Sequence, residues 1–376
     1  MSELSYLEKL LDGVEVEWRN LGDTSLFEIA NNGRKPVKAS LRIAGETPYY
    51  GANNIQDYVD GYTHDGEYVL IAEDGSASLE NYSIQYATGK FWANNHVHVV
   101  RGKERVHSRF LYHYLCIVNF LPFLTGGGRA KLTKGQLIEI PVPIPCPDNP
   151  EKSLAIQSEI VRILDTFTAL TAELTAELTM RKKQYNYYRD QLLSFDEGEV
   201  EWKTLGEITR KIASGRNKTR QAEGDFPVYG STGLLGFTNE PAYSGDLLLV
   251  ARVGAYAGLV NAVSGHFDVS DNTLIIHPSD SWNSRFAFHQ LTHMNLNQYA
   301  VGAGQPLITG GMLKNLKVPV PSLNEQTRIA KILDKFETIT VSITEGLPRE
   351  IELRQKQYEY YRDLLFSFPK PEIASY

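Results

Sequence analysis

The chain lacks most features that mark secreted, membrane or strongly basic proteins. Its 376 residues include only two cysteines, Cys116 and Cys146, so a disulfide framework is excluded and we expect a reducing cytoplasm. No apolar run approaches the roughly 20 residues that cross a bilayer, and acids among the first leucines argue against a secretory signal. The net charge of -7 excludes nucleic-acid binding driven by net charge alone.

Sites for nucleotides and metals are also missing. The stretch GGGRAKLTKG never places Gly-Lys before Ser or Thr, as a P-loop requires, and VGAGQP stands outside any strand–glycine–helix unit. His96 and His98 have no further ligands near them in sequence, which favours packed or solvent-facing histidines over a metal site. We therefore predict no catalytic residue and no metal ligand.

What the chain does contain is an internal repeat. QSEIVRILDTF pairs with QTRIAKILDKF, and MRKKQYNYYRDQLLSF pairs with LRQKQYEYYRDLLFSF, whereas the segments between them match only at landmarks. Those landmarks include SRFLYH with SRFAFH, GGGRAKLTKGQL with GAGQPLITGGML, and a tryptophan in GVEVEWRN and GEVEWKT. The sequence thus predicts two diverged heads, each followed by a nearly identical long helix.

The repeated helices carry apolar and aromatic residues in steps of three and four, which is the pattern of a coiled-coil seam. The predicted seam consists of Ile160, Leu164, Phe167, Leu174, Leu178, Tyr185, Tyr188 and Leu192 in the first copy, and Ile329, Leu333, Phe336, Ile343, Leu347, Tyr358, Tyr361 and Leu365 in the second. The second copy has four extra residues after Leu347, where Gly346 and Pro348 predict a kink or a new helix start.

These patterns predict an α+β fold with a pseudo-twofold internal repeat, in which two β-rich domains are separated by two long helices that form an antiparallel coiled coil. Short apolar runs such as EYVLIAED and DLLLVARV predict strands in the heads, and the proline-rich IPVPIPCP and VPVPSL predict stiff exit segments rather than central strands. The expected domains are 1–150, with an N-terminal helix at 1–13, then helix 151–197, a second head at 198–322 and helix 323–376. The N-terminal stretch SYLEKLLDGVEVEW resembles the end of the first helix, so we expect it to lie beside the end of the second.

Two variable segments alternating with two near-identical helices resemble the DNA-specificity subunits of type I restriction-modification systems, over the whole chain. The tandem Thr-Ala-Glu-Leu at 171–178 resembles the spacer repeat of their IC-like branch. The resemblance implies a non-catalytic reader of double-stranded DNA whose two target-recognition domains each read one half of a bipartite, asymmetric site. It also implies docking of two modification subunits, which would hold S-adenosylmethionine, and of restriction subunits in the full complex.

The sequence agrees that methyl transfer belongs to a partner, because the Pro-Pro-aromatic motif of N6-adenine methyltransferases is absent. Four helical residues add about 6 Å, close to the rise of one to two base pairs, so the tetrapeptide could act as a ruler increment. It could equally be good helix-forming sequence that places Leu174 and Leu178 in the seam, and the two interpretations are compatible.

Base reading needs donors and acceptors on loops, and phosphate contacts need cations. The candidates are Asn53, Asn54, Gln56, Glu73, Asp74, Arg129 and Lys131 in the first head, and Arg210, Lys211, Arg216, Lys218, Arg220, Ser231, Thr232, Arg252, Asn272 and Gln305 in the second. The internal alignment places Glu73 on Arg252 and Arg129 on Gln305. The five cations at 210–220 form the densest basic run, which we expect to contact phosphates from a Gly/Ser-containing loop, although that loop could equally be solvated and flexible. Each base-reading candidate could instead be an ordinary surface residue.

A different class of function also fits the layout. A coiled-coil scaffold with two protein-binding heads would need no membrane and no cofactor either. It would have no reason, however, to keep its helices alike while the polar loops of its heads diverge. The contrast between helices and heads therefore favours the DNA reader.

Overall fold

The computed structural model describes residues 10, 13–126, 130–196, 198–302, 304–342 and 345–368. The chain divides into two compact units, Met1–Glu173 with Glu352–Tyr376, and Leu174–Ile351. Each unit contains one β-rich head and part of the long helices. We call residues 16–145 the first head and residues 201–320 the second head.

Among the described residues, each head has ten strands, which follow one another in the same order. In the first head they are β1 Val16–Asn20, β2 Phe27–Ile29, β3 Ala44–Tyr50, β4 Ile55–Val59, β5 His64–Asp65, β6 Tyr68–Ala72, β7 Ile84–Ala87, β8 Lys90–Ala93, β9 Val97–Gly102 and β10 Pro141–Pro145. In the second they are β11 Glu201–Thr204, β12 Thr209–Ser214, β13 Phe226–Gly230, β14 Gly233–Thr238, β15 Tyr243–Ser244, β16 Leu247–Ala251, β17 Val260–Val263, β18 His266–Val269, β19 Thr273–Pro278 and β20 Lys317–Val320.

The sheet topology of the two heads is the same. The first head has sheets ordered β2-β9-β6-β7 and β4-β3-β8-β5, and the second has β12-β19-β16-β17 and β14-β13-β18-β15. Even the parallel pair recurs, with Tyr49 opposite Trp92 in the first head and Val228 opposite Asp268 in the second. The repeat that the sequence shows strongly only in the helices therefore extends through both heads.

The proline-rich exits form two-stranded antiparallel sheets with the entry strands. Pro141, Pro143 and Pro145 alternate along β10, which pairs with β1, and β20 pairs with β11 in the same way. Proline has no backbone N–H to donate, so it is accommodated in a two-stranded sheet, where each strand has a neighbour on one side only. The predicted exclusion of these segments from the centre of a sheet is confirmed.

The helices of the described residues are α1 Ser108–Leu115, α2 Lys134–Leu137, α3 Pro150–Leu193, α4 Leu205–Ile208, α5 Ser284–His293, α6 Gly310–Lys314, α7 Leu323–Thr340 and α8 Gly346–Leu365. No helix among the described residues is long and apolar enough to cross a membrane. The short helices α2 and α6 begin in the same way. The side chain of Thr133 accepts a backbone hydrogen bond at the start of α2, and that of Thr309 does so at the start of α6.

The long helices differ in detail from their predicted bounds. α3 has 44 residues and ends at Leu193, so 194–196 are not helical as the range 151–197 implied. The second copy is two helices, and the new start at Gly346 confirms the predicted interruption. Gly346 has φ 81°, a conformation that other residues rarely adopt, which explains why the break falls there.

The helices pair within each unit through the predicted seam. In the first unit Phe167 on α3 stacks on Tyr361 of α8, with ring centroids 5.3 Å apart. In the second unit the equivalent pair is reversed, because Tyr188 on α3 stacks on Phe336 of α7 at 5.7 Å. Within each unit, a seam phenylalanine of one helical copy thus stacks on a seam tyrosine of the other copy.

Packing of the seam is uneven. Ile160, Leu164 and Leu365 are fully buried in the core of the first head, and Ile329 and Leu333 in that of the second. Leu174, Leu178 and Leu347 are only half-buried, and Tyr188 is exposed although its ring stacks on Phe336. At the end of α3, Leu193 is buried while Leu192 is half-buried, so the seam has moved by one residue there.

Some predictions fall outside the described residues. These are Ile343 of the seam, Arg129 of the first head and most of the N-terminal helix 1–13. Leu10 and Val14 are described, and both pack against the core that contains Leu365 and Phe366. This contact agrees with the expected position of the N-terminal stretch beside the end of the second helical copy.

Candidate nucleic-acid interface

Three loops of the first head meet at one end of its sheets. We call them loop 1 (residues 51–54), loop 2 (73–77) and loop 3 (125–126 and 130–131), and in both heads these names cover only the residues that the structure describes. The Asn53 side chain donates to the Gly75 carbonyl at 2.9 Å and accepts from the Ala77 amide at 2.8 Å, which ties loop 1 to loop 2. Asp74 and Lys131 form a β-bridge, which ties loop 2 to loop 3. Tertiary structure therefore brings Asn53, Glu73, Asp74 and Lys131 together, as base reading would require.

Glu73 is the electrostatic centre of these loops. Its carboxylate lies 2.6 Å from Arg34 Nη1 and 3.0 Å from Lys131 Nζ, and its side chain is only 15% exposed. Burial raises the pKa of Glu73, but the hydrogen bonds from Arg34 and Lys131 outweigh that effect and hold the pKa below its ordinary value. The carboxylate is therefore ionised and already paired within the protein.

The two histidines weighed as metal ligands have other roles. His96 Nδ1 lies 2.6 Å from an Asp74 carboxylate oxygen, at the edge of the loops. His98 is fully buried, contacts the Asn31 side chain at 2.9 Å, and lies 2.7 Å from the Leu132 carbonyl. Burial also lowers the pKa of His98, so it is a neutral core residue, as the sequence favoured.

The second head repeats the same backbone arrangement. Here loop 1 is 230–233, loop 2 is 252–257 and loop 3 is 301–307. The Arg252 amide donates to the Asn272 carbonyl at 2.9 Å, as Glu73 does to His96 at 2.8 Å. Val253 bridges Leu307, as Asp74 bridges Lys131. These paired contacts place Arg252 and Glu73 at equivalent positions, so the internal alignment is confirmed there.

Equivalent positions carry different chemistry in the two heads. Glu73 is replaced by Arg252, His96 by Asn272 and Lys131 by Leu307, while the backbone bonds around them persist. The first head thus presents a paired acid with cations around it. The second presents an arginine and an amide among apolar side chains. Groups that differ on a shared scaffold can contact different base edges in the same manner.

Arg252 differs from its counterpart because no side chain among the described residues pairs with its Nε. The residue is half-buried, its Nε is shielded from solvent, and no hydrogen-bond partner for that Nε lies among the described residues. Nearby, the Ser231 hydroxyl donates to the Asn272 carbonyl at 2.9 Å and joins loop 1 to the start of β19. Arg252, Asn272 and Ser231 therefore lie together.

The basic run of the second head does not form one surface. Arg210 and Lys211 lie on β12 rather than on a loop, and Lys211 is opposite His277 near the end of β19. Arg216 follows β12, and its amide donates to Val269 at 3.0 Å, close to Ser270 and Asn272. At about 3.3 Å per residue, Lys211 is about 10 Å along the sheet from the loop end. Expecting all five cations on one loop was wrong, because β12 continues through the first two.

The remaining candidates are exposed. Asn54, Gln56, Thr232, Gln305, Lys218 and Arg220 are all solvent-accessible, and Gln56 lies on β4 rather than in a loop. Arg210 is further occupied by an ion pair with Asp280. The Gln56 side chain packs over Gly51. A Cβ added at Gly51 would lie 2.1 Å from the side-chain nitrogen Nε2 of Gln56. A side chain at position 51 would therefore require the exposed Gln56 side chain to move aside.

Sequence reasoning missed a duplicated brace that joins each head to its helix. Arg109 and His113 on α1 both bond Asp165 on α3, at 2.9 and 2.8 Å. Arg285 and His289 on α5 bond Asp334 on α7 in the same way, at 2.7 Å each. The sequence does carry a sign of this brace, because SRFLYH recurs as SRFAFH and DTF recurs as DKF, so both sides of the contact are repeated. Their contact could not be read from the sequence because about 50 residues separate the partners.

One group with the composition of a metal site belongs to that brace. His289, Asp334 and Glu337 offer ligand atoms close together. Arg285, however, contacts both carboxylates, at 2.7 Å to Asp334 and 2.6 Å to Glu337. The arginine supplies the positive charge that the acids need, so the group is explained as an ion-pair cluster.

Comparisons with known proteins agree with this architecture. The family model of the type I restriction modification DNA specificity domain matches twice, at residues 14–180 and 197–353. A Haemophilus influenzae protein named as a type I restriction enzyme specificity subunit is 47% identical, over 97% of this chain and 98% of its own. The specificity subunit of EcoR124I/EcoR124II from Escherichia coli is 39% identical over 100% of both chains. The crystal structure of a type I S subunit from M. genitalium has a TM-score of 0.71, covers 96% of this chain and 98% of that one, and shares the fold at 17% identity.

The chain therefore belongs to the family of type I restriction-modification DNA specificity subunits. Its role is DNA recognition, which is not catalytic, and the α+β fold with two β-rich recognition domains expected from the sequence is confirmed. It acts with DNA and with the other subunits of a type I complex.

Proposed function

We propose that each head reads one half of a bipartite, asymmetric site in double-stranded DNA. The observation that carries this proposal is the shared loop scaffold with different side chains, above all Glu73 in one head and Arg252 in the other. Two identical readers would be expected to recognise identical half-sites. Two readers with the same backbone and opposite charges at one position recognise different ones.

Exchange of one head tests the proposal. Residues 198–322 would be replaced by the corresponding segment of another specificity subunit, and the methylated motif would be read by sequencing the DNA of the host. We expect one half of the motif to change and the other to stay. Change of both halves, or a motif without two parts, would refute a division of labour between the heads.

We also propose that the helices fix the unspecified gap between the half-sites. Support comes from the tandem tetrapeptide, because Thr171 to Leu178 lies inside the continuous helix α3. Deleting Thr175 to Leu178 removes about 6 Å of helix, so the gap should shorten by one to two base pairs. Both half-motifs should keep their bases. A deletion that altered base identity and left the gap unchanged would contradict the ruler.

The proposed partners are two copies of a modification subunit. Support comes from a duplicated exposed stripe, formed by Met180 and Tyr187 on α3 and by Leu353 and Tyr360 on α8. The tyrosines are 61% and 54% exposed, and seven residues separate the members of each pair, which places them on one helix face. One stripe lies in each unit, so each unit offers the same surface to the same partner.

Removal of the tyrosines tests this stoichiometry. Tyr187→Ser and Tyr360→Ser should each give a complex with one modification subunit, and the double variant should bind none, as measured by native mass spectrometry. Asn186→Ser, exposed on the same helix, is the control and should retain two. If the double variant also retains two subunits, the stripe is not the docking surface.

From the family resemblance we also propose where S-adenosylmethionine binds and how the restriction subunits join the complex. S-adenosylmethionine would bind the modification subunits, with no cofactor on this chain, and restriction subunits would join through them. Calorimetric titration of S-adenosylmethionine should therefore give no binding to the isolated chain and one site per modification subunit in the complex. Binding to the isolated chain would contradict this assignment.

A further inference from the structure

Arg252 has the features expected of a ligand-binding residue. Its side chain is partly removed from water, yet its Nε has no acceptor among the described residues. A buried donor without a partner is unfavourable, and the cost is greater for a charged group. That cost is recovered when acceptors arrive, so this arginine is suited to hydrogen bonding with a molecule outside the chain.

The backbone holds Arg252 in a fixed place. Its amide donates to Asn272, and its carbonyl accepts from Ile308 at 2.8 Å, so loop 2 is fastened both to β19 and to the segment after loop 3. Positioning of this kind reduces the entropy lost on binding. Arg252 is therefore set at the meeting point of the three loops that present the reading surface.

The surroundings favour a base edge over a phosphate. Val253 and Leu307 bridge each other beside Arg252, and two exposed apolar side chains complete the loops, Tyr256 at 62% and Val301 at 57% exposure. Apolar side chains gain by covering base edges and thymine methyl groups, whereas phosphates stay hydrated. Exposed cations suited to phosphates are available on the segment 216–220.

The equivalent residue in the first head shows the contrast. Glu73 is held by Arg34 and Lys131 and has its charge satisfied within the protein. Glu73 therefore meets its half-site with its charge already paired, whereas Arg252 keeps a donor for a ligand. The two heads use one backbone position for different purposes.

From these observations we propose that Arg252 reads a guanine in the half-site of the second head, donating from its Nε and one terminal nitrogen to O6 and N7 in the major groove. This pairing is the ordinary one for an arginine at a base edge. The inference rests on the proposed reading of one half-site by each head. It adds that the half-site of the second head contains a G·C pair that cannot be exchanged.

The test uses the complete complex of this chain with its modification subunit. A library of randomised duplexes would be methylated and sequenced, first with the wild-type chain, then with Arg252→Gln and Arg252→Lys. We expect the wild type to require guanine at one position of the second half-motif. Arg252→Gln should lower the discrimination at that position by about 10- to 100-fold, and Arg252→Lys by less, because lysine keeps the charge but not the fork.

The controls separate the possible causes of failure. Glu73→Gln, at the equivalent place in the first head, should leave the second half-motif unchanged, and thermal unfolding would show whether each variant is folded. If Arg252→Gln weakened methylation of all sequences equally, or kept the guanine requirement, the inference would be overturned. A wild-type motif without two parts would instead refute the proposed function.

Discussion

Asp334 on α7 accepts a hydrogen bond from the buried His289 on α5, at 2.7 Å between the carboxylate oxygen and Nε2. Arg285 shares that oxygen at 2.7 Å, and the set recurs in the first unit as Asp165, His113 and Arg109. A head is thus attached to its helix by one carboxylate that serves two donors. This brace gives the recognition surface a fixed base on the helices.

Removing the charge of this carboxylate should loosen the attachment. Asp334→Asn keeps the shape but replaces a charge-assisted acceptor, so we expect the free energy of unfolding of the second unit to fall by about 1–3 kcal/mol. Urea unfolding followed by tryptophan fluorescence would measure it. Glu325→Gln, in an exposed pair with Arg328, is the matched control and should cost no more than about 0.5 kcal/mol. Equal effects of the two variants would show that the brace has no special role.

The brace also predicts how stability depends on pH. Burial lowers the pKa of His289 below its ordinary value of 6.5, and its interaction with Asp334 opposes this only in part. In the unfolded chain the histidine takes up a proton near pH 6.5, whereas the folded protein does so only at lower pH. Stability should therefore fall as pH drops from about 6.5 toward the folded pKa.

His289→Gln is the variant that checks this effect. Glutamine can still donate to Asp334 but does not titrate, so unfolding midpoints measured between pH 7.5 and 5 should decline less steeply. Arg285 and Glu337, which also face this site, stay in place as charged neighbours. An unchanged slope would mean that other groups control the acid sensitivity. His113→Gln should act in the same way on the first unit, because burial lowers the pKa of His113 too.

Gly258, which directly follows loop 2 of the second head, should tolerate no side chain. Its φ is 92°, and an added Cβ would lie 2.4 Å from the Asn297 backbone nitrogen, so Gly258→Ala must displace the loop that carries Arg252. We expect loss of recognition of one half-site only, measured by methylation of variant duplexes. Gly245→Ala shares the positive φ of 103° but meets nothing within 4 Å, so it should be mildly destabilising and keep the motif. Equal motifs from both variants would contradict a reading role for this loop.

The basic residues of 210–220 lie partly on β12 and partly on the segment after it, so we expect them to contribute differently to the salt dependence of DNA binding. Lys218 lies on the exposed segment at the loop end, so Lys218→Ala should reduce the slope of log affinity against log salt concentration by about 1 in the assembled complex. Arg210→Ala should change the slope less, because Arg210 lies on β12 away from the loops and pairs with Asp280. Fluorescence anisotropy at several salt concentrations would measure both. A larger effect at Arg210 would place the DNA at the other end of the sheet.

Much of the architecture was predictable because it depends on local pattern. The steps of three and four along the helices predicted the seam, and the pair Phe167–Tyr361 with its counterpart Phe336–Tyr188 confirms it. Prolines 141, 143 and 145 predicted a strand kept from the centre of a sheet. Divergence of the heads beside constant helices predicted a DNA reader, and the family comparison supports that class.

The amino-acid sequence by itself determined the repeat, the helix break at Gly346 and the class of protein, because these features follow from residue type and spacing along the chain. Only the tertiary structure decided which candidates form a surface. It joined Glu73 to Lys131, parted Arg210 from Arg216, and satisfied the charge of Glu73 while leaving the Arg252 Nε without a partner among the described residues. Those outcomes depend on strand register and on contacts between residues far apart in the chain, which no local pattern encodes.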